Sequence, residues 1–250
     1  MLVRKTVTVL FCDVTESTRL GESLDPETHR RVMSRYFEEM SAALEAHGGT
    51  VEKFIGDAVM AVFGVPTVHE DDALRAVRAA AEMRERLSRL NEELEPAYGI
   101  SLEMRTGVNT GEVVAGDASG HSLVTGDAVV VAKRLEEAAP PGQILIGKAT
   151  YPLVQNAIDA GPLQTFSAKG KSEGVPSRRV DDVRSGAGGI ARRLEAPLVG
   201  RDEELAGLLR ELERVSQERS CRLVTLLGPA GIGKSRLARE LLDAAGAYAT

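Results

Sequence analysis

Residues 51–63 read VEKFIGDAVMAVF, two apolar runs interrupted by Gly56-Asp57. β-Branched and aromatic residues fill both runs and bulky side chains alternate along each, which is the patterning of strands. Gly56 supplies the positive φ that a tight two-residue turn needs, and Asp57 tolerates the neighbouring position. The stretch therefore predicts a hairpin, VEKFI and VMAVF, whose tip carries a carboxylate facing away from the core. A second apolar run near the N-terminus, VTVLFC, ends in another acid, Asp13.

The remaining chain supplies elements to pack around these strands. Residues 7–12 predict a strand, and Thr15-Glu16-Ser17-Thr18 are N-cap residue types that open a short helix through Leu20. Backbone N–H groups at such a helix start suit phosphate oxygens. Asp25-Pro26-Glu27 cap a long helix with one apolar face of Val32, Tyr36, Met40 and Ala43 beside Met33, Phe37 and Leu44, stopped by His47-Gly48-Gly49. Glu70-Asp71-Asp72 begin a second, with Val77, Ala80, Met83, Leu87, Leu90 and Leu94 as its buried stripe.

Residues 101–109 and 112–115 predict two strands separated by a turn at Gly111, and residues 122–125 are extended. Gly126-Asp127 lead into a helix to Ala138, which Pro140-Pro141-Gly142 end before a short strand at 143–146. A helix near 149–155 and strands at 164–166 and 176–180 complete this part. Helices alternating with hairpins indicate layers of helix on a mixed or antiparallel sheet. Residues 185–189, Ser-Gly-Ala-Gly-Gly, have linker composition, and a helix at 201–215 then precedes an apolar strand at 222–227.

A length of 250 residues suits one large domain or two small ones. Net charge is −6, from 31 basic against 37 acidic residues, which argues against a nucleic-acid partner. The two cysteines, Cys12 and Cys221, make neither a disulfide framework nor metal-ligand spacing. No leader sequence and no apolar run of membrane-spanning length is visible, so a cytoplasmic protein is expected.

Asp13 and Asp57 each sit at a strand end, and adjacent strands would bring them together. Two carboxylates with no basic residue beside either would repel unless a divalent cation joined them. Hard oxygen ligands and an open site suit two Mg²⁺ or Mn²⁺ ions beneath a nucleoside triphosphate. The motifs VTVLFCDVTEST, VEKFIGDAVMAVFG, MRTGVNTGEVVAG and LVTGDAVVVAKRLEEAAPPGQILIG together resemble the catalytic domain of class III adenylate/guanylate cyclases, over roughly residues 5–182. That resemblance implies an α+β, ferredoxin-like domain with a mixed, mainly antiparallel sheet and flanking helices. It implies an adenylate cyclase that turns ATP into cyclic AMP and pyrophosphate.

Carried over residue by residue, the resemblance makes Asp13 and Asp57 the metal ligands and Lys53 the residue that reads the purine. An ammonium donates to the adenine N1 acceptor, whereas the Glu of guanylate-type members suits guanine's donors. Arg105 and Lys169 match phosphate-contacting positions, and Arg134 the arginine that stabilises charge at the α-phosphate. The chain departs from the pattern twice. Val130 stands where the family has an Asn that orients the ribose, and Leu123 falls on the second purine-reading position. The family's site forms at a head-to-tail homodimer interface: one subunit would give Asp13, Asp57 and Arg105, its partner Lys53, Val130, Arg134 and Lys169.

Residues 228–235, GPAGIGKS, fit the P-loop pattern in full, after the apolar run RLVTLL and before a helix. Gly228 and Gly233 would shape the phosphate cradle, Lys234 would reach the β/γ oxygens and Ser235 would ligate Mg²⁺. With PLVGRDEE upstream, the segment resembles the start of a signal-transduction AAA-like ATPase domain. The expected organisation is a cyclase domain at 1–182, a linker at 183–197 and a truncated P-loop α/β segment at 198–250 that is too short for a complete ATPase core. The alternative function is a weakened, ATP-binding dimerisation module that regulates a P-loop ATPase. A diguanylate cyclase or polymerase-palm relative is disfavoured, because the hairpin reads FIGDAV and lacks a GG[DE]EF signature.

Overall fold

The computed structural model describes residues 3–118, 121–166, 174–187, 199–227 and 233–246. They fall into two units, Met1–Ile190 and Ala191–Thr250. In the first, the strands are β1 (Val3–Val14), β2 (Thr50–Ile55), β3 (Ala58–Phe63), β4 (Met104–Ala118), β5 (His121–Thr125), β6 (Ile144–Gly147), β7 (Ile158–Ala160), β8 (Gln164–Phe166) and β9 (Val175–Val183). Its helices are α1 (Ser17–Ser23), α2 (Pro26–Ala46), α3 (Asp72–Tyr98), α4 (Asp127–Ala138) and α5 (Tyr151–Val154). The second unit contains α6 (Asp202–Glu218) and α7 (Lys234–Gly246).

The sheet runs β2-β3-β1-β4-β6-β9-β7, with β5 attached to β4 and β8 to β9. The β4–β6 pair is parallel and the others are antiparallel. This is a mixed, mainly antiparallel α+β architecture. β1 occupies the middle because both its faces are apolar, the pattern of a strand covered on two sides. Leu10, Cys12 and Val14 join the core formed with α2 and α3, while Val7, Val9 and Phe11 face Ala128 and Ala132 of α4.

Local signals explain the elements that carry these layers. The Asp25 side chain accepts the Thr28 backbone N–H at 2.9 Å and Pro26 opens α2, satisfying one of the orphan amides of a helix start. All six residues of the expected α3 stripe are buried. The hairpin forms as predicted, with Gly56 at φ 64° in the turn between β2 and β3.

Three expectations are corrected, and one strand that the sequence did not signal is added. Gly111 is no turn: β4 runs through it, and Gly111 pairs with Val7 of β1. The glycine serves close packing instead, since a Cβ there would stand 3.0 Å from the Ala128 Cβ of α4. Two turns further along α4, a Cβ on Gly107 would stand 2.3 Å from the Glu136 backbone nitrogen. Second, the segment 222–227 is not a strand, and Leu223 and Leu227 are almost fully exposed. Among the described residues it has no neighbouring strand to complete its backbone hydrogen bonds, so apolar composition alone does not make it one. Third, α1 begins without a side-chain cap, and Glu16 at that position is left-handed at φ 56°. The added strand is β7; its three residues pair with β9, a tertiary contact without a local signature.

Candidate active site

The paired register of β1 and β3 ends at Cys12 opposite Val59. Asp13 is the next residue on β1, and Asp57 lies two positions before Val59, in the hairpin turn. The two carboxylates therefore belong to the same end of the same strand pair. Both also act electrostatically on the buried Tyr36 hydroxyl: burial is the main cause of that group's raised pKa, and both acids add to it. Asp57 borders a cleft of about 520 Å³ between the hairpin tip, α1 and α2, lined by His29, Arg30 and Phe37 among others. Burial pushes the Cys12 thiol up to about 12, so the residue beside Asp13 is a neutral core group and not a thiolate ligand.

Asp13 does have a cation beside it, though not a sequence neighbour. Arg105 sits directly opposite on β4, and its Nη2 donates to Asp13 Oδ2 at 2.9 Å. Its Nη1 donates to the Glu137 carbonyl at 3.3 Å, near the end of α4, where free carbonyls favour a positive charge. Its Nε lies 2.8 Å from Oε1 of Glu136, a fully buried carboxylate that also pairs with Lys133. Arg105 is thus a clasp between the strand that bears Asp13 and the helix that bears Arg134. The sequence reading missed Glu136. Its signal was an acid four residues after Ala132, on the apolar side of α4.

Burial pushes the Glu136 carboxyl up to about 7, with Lys133 and Arg105 pulling it back and Asp13 adding to the rise. The folded value stands above the ordinary one, so the fold holds this proton more tightly than the unfolded chain does. The resulting stability is fully present below about pH 4.5 and is lost as pH rises through about 7. Glu136→Gln should flatten that window. Denaturant titrations at about pH 5 and about pH 8 should show a loss smaller by about 1–3 kcal/mol in the variant than in the parent.

The other predicted residues fall on two surfaces. Lys53 is exposed on β2, after a bulge that separates it from Val51. Val130, 49% exposed, and Arg134, also exposed, lie one turn apart on the outer face of α4, whose opposite face buries Ala128, Ala132 and Leu135. The Leu123 backbone pairs with Gly116 in the β4–β5 hairpin; its side chain, like Lys169, lies outside the described residues. In the second unit Gly233 has φ 95° and Lys234 opens α7. Gly228 and the Ser235 side chain lie outside the described residues.

A strand-end acid and a hairpin-turn acid thus share one end of a mixed, mainly antiparallel sheet in an α+β domain. The chain belongs to the adenylate and guanylate cyclase catalytic domain family, whose profile matches residues 3–176. Residues 197–249 match the AAA ATPase domain family. The chain is 31% identical over 175 residues to adenylate cyclase 1 of Rhizobium meliloti (strain 1021), covering 68% of this chain and 26% of that protein. The chain spans only about a quarter of the length of the curated relatives it matches first. It is similar to the crystal structure of the adenylyl cyclase CyaB from P. aeruginosa, with TM-score 0.69, 35% identity and coverage of 75% of this chain and 100% of that one. The guanylyl cyclase Cya2 is similar as well, with TM-score 0.68, 33% identity and coverage of 74% and 95%. Among the described residues no helix is long and apolar enough to cross a membrane.

Proposed function

We propose that the first unit is an adenylate cyclase, converting ATP into 3′,5′-cyclic AMP and pyrophosphate at a site shared by two head-to-tail copies of the chain. The observation that supports this reading is the position of Asp13 and Asp57 at the same end of the β1–β3 pair. The donor set fits Mg²⁺ or Mn²⁺. Among the described residues no cluster of three or more His, Cys, Asp or Glu could hold a metal by itself. Mg²⁺ is commonly held by one or two carboxylates together with substrate phosphates and water, and two acids match that demand. Asp13 and Asp57 would hold the ions, which would lower the pKa of the ribose 3′-hydroxyl and offset charge on the pyrophosphate.

The chain's own groups divide the remaining work. The 3′-oxygen attacks the α-phosphorus and forms a new O–P bond, the bond to the bridging oxygen of pyrophosphate breaks, and the hydroxyl proton passes to water. Arg134 faces the charge that builds on the α-phosphate during ring closure. Arg105, paired with Asp13, keeps a guanidinium where phosphate oxygens gather, and Lys169 adds a second cation there. Lys53 donates to adenine N1, a contact that guanine, with a hydrogen on that nitrogen, cannot accept. The similarity to CyaB and to the Rhizobium meliloti adenylate cyclase supports ATP. The comparable similarity to guanylyl cyclase Cya2 leaves the choice of base to Lys53 and its neighbours.

A second reading rests on Val130: a cyclase-like module that binds ATP and dimerises, with little turnover, to regulate the P-loop segment. Incubating the protein with Mn²⁺ and either ATP or GTP, followed by chromatography of the products, separates the two. Cyclic AMP should dominate. Comparable cyclic GMP would defeat the Lys53 argument, and ATP binding without cyclic product would move the assignment to the second reading.

A further inference from the structure

The bulge in β2 has a single extra residue. Val51 faces Ala61 and Lys53 faces Met60 of β3, leaving Glu52 without an opposite partner. Bulges re-aim side chains, and this one sends the Glu52 carboxylate out of its own hairpin. Its Oε1 accepts the backbone N–H of Val124 at 3.2 Å, 72 residues further along the chain. Its Oε2 is buried with no hydrogen-bond partner among the described residues. Burial raises this carboxyl above the ordinary range, while the Val124 N–H and the Lys53 charge pull it back.

The bond joins strands that share no ladder. β5 hangs from β4, and β3 and β1 stand between β4 and β2. Each end of the bond adjoins one base-reading position of the proposed cyclase: Lys53 follows Glu52, and Leu123 precedes Val124. Leu123 cannot accept a hydrogen bond from a purine amino group, so discrimination falls on where Lys53 stands relative to β5.

We propose that Glu52 is a positioning residue for base selection, its carboxylate tying the bulge that carries Lys53 to the strand that carries Leu123 and so fixing the gap for the purine. The inference rests on the cyclase reading above. Its test compares the parent chain with Glu52→Ala, Glu52→Asp and Glu52→Gln. Aspartate keeps the charge but is one methylene too short to reach Val124, whereas glutamine keeps an acceptor oxygen at full length.

The readouts are kcat and KM for ATP and GTP, dissociation constants for 3′-deoxy-ATP and 3′-deoxy-GTP, which lack the attacking hydroxyl, and hydrogen exchange at the Val124 amide. The alanine and aspartate variants should lose about tenfold of the ATP-over-GTP preference, the loss of one hydrogen bond, through KM and not kcat. Their Val124 amide should exchange faster. Glutamine should hold the preference within about threefold. Folded alanine and aspartate variants that keep the parental preference, or weaken both nucleotides equally, would overturn the proposal, since a merely structural tie predicts that. If the alanine variant does not fold, aspartate carries the same comparison. A parent that forms no cyclic product but prefers 3′-deoxy-ATP, with that preference collapsing in the aspartate variant, would sink the turnover reading and leave the role of Glu52 standing. A parent that binds both nucleotides equally would overturn both.

Discussion

Asp57→Ala should reduce cyclic nucleotide formation by at least about 10³-fold, roughly 4 kcal/mol of transition-state stabilisation, while leaving the fold intact. The residue is well placed for a clean test. It sits in the hairpin turn, and its side chain makes no hydrogen bond among the described residues, so its loss leaves no stranded partner. Stability should change by no more than about 0.5 kcal/mol, as for ordinary surface substitutions. Asp13→Ala is the poorer experiment, because it strips Arg105 of its 2.9 Å carboxylate partner and unbalances the cluster around buried Glu136. Initial rates with Mn²⁺, alongside circular dichroism and a denaturant midpoint, check both halves of the expectation. Full activity in a folded Asp57→Ala protein would remove the divalent site from the mechanism.

Val130→Asn should raise turnover, by up to about 10²–10³-fold, the range lost when a comparable donor is removed from an active site. Val130 is 49% exposed on the outer face of α4, so asparagine empties no part of the core, and the two residues have similar helix propensity. An amide one turn before Arg134 could hydrogen-bond the ribose and hold its 3′-oxygen toward the α-phosphorus, which valine cannot do. The gain should appear in kcat more than in KM, because the contact matters most as the ring closes. Unchanged or lower turnover in a folded variant would mean that the site orients its sugar by another route.

Much of the frame could be read from the chain because it is written locally. The Gly-Asp turn, the Asp25-Pro26 helix start and the apolar stripe of α3 each depend on residues a few positions apart, and each formed as expected. What was missed depends on contacts between distant segments. Gly111 resembles a turn residue in isolation, yet β1 offers it a continuous partner and α4 requires its missing side chain. Residues 222–227 have strand composition but no described neighbour to pair with. At the site, the strand ends bearing Asp13 and Asp57 were legible. The clasp of Arg105 between Asp13 and Glu136 was not, since nothing in a hexapeptide around Arg105 announces an acid 31 positions later. The bridge from Glu52 to Val124 was hidden for the same reason.

The two acids do not rest on equal footing. Asp13 lies near the end of a strand paired on both sides and cross-braced through Arg105 to α4, whereas Asp57 stands in the turn of a hairpin whose outer strand, β2, is the sheet's border. A substitution in the turn therefore reaches the outer acid alone, whereas one on α4 is transmitted to the inner acid through the guanidinium between them.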